Sequence, residues 1–175
     1  MPTAAPAFRL RVWTRFFAPV ERVWELKTDL ARVREEFRPW MEFRPQDPEA
    51  LCRAVRSGQT GRFPARLWPL GISWTTELVE ARPTERFVDR SQNLLYAAFE
   101  HRHVFEPADD GCRYVDDVTF TPAAPLPAGL VARMTAAMFG HRHRQSARHL
   151  PHDARATAIV VLRQVLEDEG PAELG

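Results

Sequence analysis

The stretch FEHRHVFEPADDGCRYVDDVTF, residues 99–120, predicts a β-hairpin in which one face mixes aromatic rings with histidines. Its two halves alternate with the period of two that is typical of strands, and ADDG between them is a turn signal. Successive residues of a strand point to opposite faces of the sheet. One face of this hairpin therefore carries Phe99, His101, His103, Phe105, Tyr114, Asp116 and Val118.

The register of this hairpin and of the hairpin before it predicts which polar side chains meet. A turn about ADDG places His103 opposite Asp116, and a turn about QNLL pairs the preceding strand, residues 86–92, so that Asp89 lies opposite His101. A slip of one residue would move the apolar side chains to the wrong face, so the register is constrained. We therefore expect one polar cluster on the concave face of three adjacent strands, formed by Asp89, His101, His103 and Asp116.

The order of the remaining elements predicts an α+β fold. Strand patterns separated by short turn motifs occur at residues 8–16, 61–68, 72–81, 86–92, 97–106 and 112–121. Two short helices follow the first strand, with Pro19 at the start of one and Asp29 as the cap of the other. Residues 130–150 have the period of a long helix. This order predicts a curved antiparallel sheet wrapped around the long C-terminal helix.

The end of the chain is predicted to add a separate element. Asp153 is a helix-capping residue, and Ile159, Leu162, Val165 and Leu166 follow at amphipathic helical spacing. We expect one domain over residues 1–150 and an additional amphipathic helix with a tail over residues 151–175. Packing on its own domain and homodimerisation through this helix are alternatives that the sequence leaves open.

The composition narrows the classes of function. The formal net charge is +1, which gives no long-range attraction to nucleic acid or to an anionic membrane surface. Cys52 and Cys112 lie far apart and form no metal-binding or redox pair motif, which indicates a reducing compartment. The N-terminal residues lack the apolar stretch of a signal peptide, so we expect a cytoplasmic protein without stable membrane insertion. Lys27 is the single lysine of the chain, and a codon bias toward arginine explains this as readily as a functional role of Lys27 does.

Four segments together resemble the START-like (SRPBCC) superfamily, which includes polyketide cyclases, coenzyme Q-binding proteins and lipid-transfer domains. FFAPVERVWELKTDL is similar to the opening strand and helix pair, and GISWTTELVEARPTERFVDRSQ is similar to the tryptophan-bearing strand, proline turn and following strand. The hairpin quoted above resembles the next pair of strands, and MFGHRHRQSARHL resembles the end of the closing helix. The resemblance covers about residues 8–150 and implies a helix-grip fold with a cavity between sheet and helix.

The resemblance implies binding of a hydrophobic or amphipathic small molecule, such as a lipid, a quinone or a polyketide-like compound. The polar end of the ligand would meet the four-residue cluster of aspartates and histidines. Apolar walls would come from Phe87, Phe99, Phe105, Tyr114, Val118, Leu130, Met134 and Met138. The alternatives are a cyclase or dehydratase that uses the same cluster, and a partner-binding module whose interior is filled by its own side chains. The resemblance does not decide whether the protein is an enzyme.

The chemistry of the predicted cluster has three interpretations. His101 and His103 could bind a divalent ion with a carboxylate, but both carboxylates already face an imidazole and no further ligand is evident. A histidine made more basic by an aspartate could act as a general base, with Tyr114 donating to an oxyanion. Paired Asp–His groups could instead simply line the cavity and orient a ligand, which is the interpretation we favour. We therefore predict neither a metal nor a cofactor.

Overall fold

Eight antiparallel strands form one curved, open sheet in the part of the chain that the computed structural model describes, residues 6–39, 41–155 and 159–165. The strands are β1 (Ala7–Phe16), β2 (Glu42–Pro45), β3 (Gly61–Trp68), β4 (Ile72–Arg82), β5 (Arg86–Ser91), β6 (Tyr96–Ala108), β7 (Gly111–Pro122) and β8 (Ile159–Val165). Their order in the sheet is β2-β3-β4-β5-β6-β7-β1-β8. The α-helices are α1 (Val20–Thr28), α2 (Leu30–Phe37), α3 (Pro48–Ser57) and α4 (Ala128–Ser146).

The predicted fold class is confirmed, since two short helices follow β1 and the long helix α4 follows β7. Local signals explain where the helices begin and end. Asp29 caps α2 by accepting hydrogen bonds from two backbone amides, and Asp47 caps α3 by accepting one from the amide of Ala50. Gly58 ends α3 in the left-handed conformation, which glycine adopts without a steric penalty.

The predicted register of the central strands is confirmed. In the pairing of β6 with β7, His103 lies opposite Asp116, and in the pairing of β5 with β6, Asp89 lies opposite His101. The β6–β7 turn depends on Gly111, because a Cβ atom there would lie 2.0 Å from the Phe16 carbonyl oxygen. The turn therefore holds the hairpin closely against the end of β1.

The helix α4 packs against the concave side of the sheet, but its buried face differs from the predicted one. Leu130 and Met134 are 55% and 60% exposed. The buried face carries smaller or polar residues instead: Val131, Ala132, Thr135, Phe139, Gly140, Arg142, His143 and Ser146. The spacing of hydrophobic residues predicts the wrong buried face for α4, because half of the side chains that point inward are polar and have buried partners.

The helix predicted after Asp153 is wrong for residues 159–165. This segment forms β8, which pairs antiparallel with β1 from Ala7 opposite Val165 to Trp13 opposite Ile159. The segment begins with three consecutive β-branched residues, and without β8 the strand β1 would present an unpaired edge. Residues 156–158 and 166–175 lie outside the described residues, and the division of the chain at residue 150 stays a prediction.

Among the described residues, no helix is both long enough and apolar enough to cross a membrane.

Candidate functional site

A cavity of about 140 Å³ lies between the sheet and the helices. Its wall draws on β2 to β6 from the sheet side and on all four α-helices. Most lining side chains are apolar, including Trp74, Phe99 and Phe139. Polar groups lie at two places in the wall, one on the strands and one on the helices. The fold thus forms an apolar chamber with two different polar regions.

Half of the predicted ligand-binding residues line this cavity. They are Phe87, Asp89, Phe99, His101, His103 and Met138. Phe105, Tyr114, Asp116 and Val118 are buried but do not belong to the described cavity wall. Leu130 and Met134 point away from the cavity on the exposed face of α4, so the structure does not bring them to the site.

The polar region on the strands is centred on Asp116, and we name it the histidine cluster: Thr14, Asp89, His101, His103, Tyr114, Asp116 and His143. Asp116 Oδ1 lies 3.0 Å from His101 Nε2 and 3.2 Å from His103 Nδ1, while Oδ2 lies 3.1 Å from His143 Nε2. The His101 contact is short but is not aligned as a hydrogen bond. Three imidazoles therefore surround one fully buried carboxylate.

The proton positions in the histidine cluster follow from its acceptors. Tyr114 donates its single proton to Asp116 Oδ1, so its phenol oxygen can only accept from His103 Nδ1, 2.7 Å away. His143 donates from Nε2 to Asp116 and accepts at Nδ1 from the Thr14 hydroxyl at 2.9 Å. The protons of His103 Nδ1 and His143 Nε2 are thereby directed to the Asp116 side of the cluster.

Burial and charge act in opposite directions on these groups. Burial lowers the pKa of His101 to about 4, helped by the neighbouring His103 and only partly opposed by Asp116 and Asp89. His101 is therefore neutral at pH 7. Burial alone would raise the pKa of Asp116, but the surrounding histidines outweigh it and hold the pKa well below its ordinary value. Burial, followed by the charge of Asp116, raises the pKa of Tyr114 well above its ordinary value, which keeps the phenol protonated.

On the helix side, the polar region is the lysine cluster, formed by Lys27, Glu36, Arg142 and Ser146. Lys27 Nζ donates to Glu36 Oε1 at 2.7 Å and to Ser146 Oγ at 2.9 Å, and it lies 4.5 Å from the centre of the Tyr114 ring. Arg142 Nη2 lies 3.3 Å from Glu36 Oε2. Arg142 Nε has no hydrogen-bond partner among the described residues, although the residue is buried and lines the cavity.

Sequence reasoning missed the lysine cluster and His143. Lys27 is the single lysine of the chain, and it follows Val20, Val23 and Trp24 at the spacing of one helix face. That position on an apolar face was a signal that the lysine is buried. His143 and Arg142 gave no comparable signal, because a basic run near a helix C-terminus is equally typical of a solvated end.

The curved antiparallel sheet and the long helix α4 form a START-like, helix-grip fold. A START superfamily protein from Mycobacterium smegmatis aligns with a TM-score of 0.63 and 11% identity, over 82% of this chain and 97% of that chain. Protein CV1439 from Chromobacterium violaceum aligns with a TM-score of 0.61 and 16% identity, over 83% of this chain and 98% of that chain. The di-domain ARO/CYC protein StfQ from the steffimycin biosynthetic pathway aligns with a TM-score of 0.60 and 12% identity, over 83% of this chain and 51% of that chain.

At the level of sequence, residues 14–150 match a family described as a domain of unknown function, DUF8410. The chain belongs to this family. A search of curated proteins found no match. The structural similarity is at low sequence identity and therefore concerns the fold alone.

Proposed function

We propose that the protein binds a small amphipathic molecule in the cavity between the sheet and α4. The observation that carries this proposal is an apolar chamber whose wall contains a buried guanidinium nitrogen, Arg142 Nε, without a partner among the described residues. A buried donor left unpaired costs about 1–3 kcal/mol. A carbonyl or carboxylate oxygen on a bound ligand would remove that cost.

The volume of the cavity limits the size of the ligand. Sites for drug-sized molecules usually measure about 300–1,000 Å³, whereas a cavity of about 150 Å³ accepts benzene. At about 140 Å³, this cavity suits a single ring or a short chain better than a polycyclic polyketide or a full lipid. The ligand we propose is therefore a single-ring or short-chain compound with at least one oxygen acceptor.

The polar residues predicted from the sequence keep a place in this proposal. Asp89, His101 and His103 line the same cavity and would contact a second polar group of the ligand. Asp116 and Tyr114 would act behind them by holding the rings in position. The START superfamily protein and StfQ share the fold with this chain, which supports a ligand-binding role without identifying the ligand.

Native mass spectrometry of gently purified protein, together with thermal unfolding, tests the proposal. The probes are benzoate, acetophenone and toluene, which share one ring but differ in their oxygen acceptors. We expect benzoate and acetophenone to raise Tm more than toluene. Val33→Phe, which fills the cavity from α2, should abolish these shifts, and Ala31→Phe on the exposed face of α2 should preserve them. The proposal is refuted if the wild type retains no molecule and none of the probes shifts its Tm.

A cyclase or dehydratase remains the second candidate because His101 is neutral and lines the cavity. A neutral imidazole can accept a proton from an acidic C–H of a bound ligand. Deuterium exchange into the methyl group of acetophenone, followed by NMR, measures this activity directly. Exchange that is faster than in buffer and lost in His101→Gln supports the enzyme, and exchange equal to buffer contradicts it.

A further inference from the structure

We propose that Asp89, His101 and His103 form a binding site for a divalent transition-metal ion in the cavity wall. One potential ligand atom from each of these buried residues lies within 4.8 Å of the other two. The residues come from β5 and β6, whose register is fixed by the sheet. This site shares the cavity with the organic ligand proposed above, but metal binding by these three residues does not require that ligand.

The spacing of the atoms suits metal coordination. His103 Nε2 lies 3.3 Å and His101 Nδ1 lies 3.6 Å from Asp89 Oδ2. Ligand atoms about 2.1 Å from a tetrahedral metal ion lie roughly 3.4 Å from one another. The two distances to Asp89 fall on either side of that separation, so coordination requires only small movements of the side chains.

The far nitrogen atoms of both rings face Asp116 on the opposite side. His101 Nε2 and His103 Nδ1 lie 3.0 Å and 3.2 Å from the same oxygen of Asp116. Metal-binding histidines almost always direct their other ring nitrogen to a carboxylate or carbonyl, which fixes the tautomer. Asp116 would serve both rings at once as a positioning residue.

Both near nitrogen atoms face the same oxygen of Asp89. His103 Nε2 also meets hydrogen-bond geometry with Asp89 Oδ2, and His101 Nδ1 lies beside it. A metal ion bound there would replace this contact with bonds to all three atoms. It would also place a positive charge beside Asp89 and Asp116, two buried carboxyl groups.

Packing further restrains the two rings. His103 stacks on Phe87 with ring centres 3.7 Å apart, and His101 packs edge-on against Phe139 at 4.9 Å. Restrained rings lose little conformational entropy when a metal binds, so the site is organised in advance of binding.

The ligand set indicates the class of metal. Two imidazoles and one carboxylate suit Zn²⁺, Fe²⁺, Co²⁺ or Mn²⁺ better than Mg²⁺ or Ca²⁺, which prefer oxygen atoms alone. Three protein ligands leave at least one coordination position, and the three residues all line the cavity. The sequence argues against a metal because both carboxylates face an imidazole and no further ligand is evident. In the structure, Asp116 contacts the far nitrogen of each ring, which leaves the near nitrogen atoms and Asp89 for the ion.

Metal titration of the chelator-treated full-length protein tests this inference. Co²⁺ should bind with one ion per chain and produce the visible absorption of a low-symmetry site, and Zn²⁺ should displace it. His103→Gln should weaken Co²⁺ binding at least about 100-fold, and Asp116→Asn, which keeps all three ligands, should weaken it about 10- to 100-fold. His149→Gln, at an exposed histidine outside the site, should leave binding unchanged.

Imidazole ¹⁵N NMR of the wild type gives a second measurement that does not depend on folding of the variants. Zn²⁺ should shift the signals of His101 Nδ1 and His103 Nε2 and leave those of His143 largely in place. The proposal is overturned if the wild type binds no stoichiometric Co²⁺, or if the double variant His101→Gln and His103→Gln binds it as tightly as the wild type. Metal binding would also exclude His101 as a general base, because coordination uses its lone pair.

Discussion

The histidine cluster and the lysine cluster meet at Tyr114 but bury their polar groups in different ways. In the lysine cluster, Glu36 accepts from Lys27, Ser146 and Arg142, and its charge is opposed by two cations. In the histidine cluster, the central carboxylate, Asp116, is surrounded by imidazoles, at least one of which is neutral. The lysine cluster is therefore stabilised by direct ion pairs, whereas the histidine cluster is stabilised mainly by hydrogen bonds to Asp116.

This difference separates a structural role from a chemical one. Apart from Arg142 Nε, the charged groups of the lysine cluster are paired with one another, and these ion pairs connect α1, α2 and α4 into one unit. Neutral imidazoles keep lone pairs that can bind a metal ion or accept a proton. We expect changes in the lysine cluster to act on stability first, and changes in the histidine cluster to act first on what the cavity binds.

The largest effect is expected for Glu36→Gln. The variant leaves Lys27 and Arg142 buried without their shared carboxylate, and removal of one partner from a buried ion pair costs about 3–5 kcal/mol. The free energy of unfolding in urea should fall by that amount. Co²⁺ binding to any variant that still folds should be unchanged.

Glu35→Gln is the matched control, because Glu35 is the preceding residue of α2 and forms an exposed pair with Arg32. Exposed pairs contribute about 0–1 kcal/mol, so this variant should unfold nearly as the wild type does. Equal losses in the two variants would contradict the assignment of Glu36 as the centre of the lysine cluster.

The pH dependence of stability should also report on Glu36. Burial would raise its pKa, but the charges of Lys27 and Arg142 outweigh burial and lower the pKa from its ordinary value of 4.5; Tyr114 and His143 are the other titratable groups coupled to it. A carboxyl with a lowered pKa in the folded state contributes fully above the unfolded value and loses that contribution as the pH falls.

The wild type should therefore lose stability relative to Glu36→Gln below about pH 4.5, by at most ~1.4 kcal/mol per pH unit. Urea unfolding of both proteins between pH 7 and pH 3 measures the difference and cancels the groups that they share. A constant difference across this range would mean that the pKa of Glu36 is the same in the folded and unfolded states.

Most of the fold could be predicted because its signals are local. The hairpin around ADDG, the caps at Asp29 and Asp47 and the alternation in β1 each depend on a few neighbouring residues. The error at residues 159–165 arose because an isolated apolar segment fits a helix and a strand almost equally well. The open edge of β1 decides between them, and that edge exists only in the assembled sheet.

The candidate site could be predicted only where the sheet register determines it. Asp89, His101, His103 and Asp116 meet as predicted, because strand pairing fixes both their partners and their faces. His143 could not be placed in the same way, since it reaches Asp116 from α4, and neither helix rotation nor helix docking follows from strand parity. In the sequence, the polar residues of a buried helix face also look the same as those of a solvent-exposed face, because their partners are not known.

The smallest effects compare one hydroxyl in each cluster, Ser146 and Thr14. Ser146 Oγ lies 2.6 Å from the carboxylate of Glu36 and accepts from Lys27, so Ser146→Ala removes hydrogen bonds to charged groups, which contribute about 1.5–3 kcal/mol. Thr14 donates to the neutral imidazole of His143 at 2.9 Å, so Thr14→Val, which keeps the shape of the side chain, should lower the free energy of unfolding by only about 0.5–1.5 kcal/mol.

Thr119→Val, at an exposed site on β7, is the control and should change the free energy of unfolding by less than about 0.5 kcal/mol. If Thr14→Val costs as much as Ser146→Ala, the Thr14 hydrogen bond is charge-assisted, and the contrast between a neutral and an ionic cluster fails at His143.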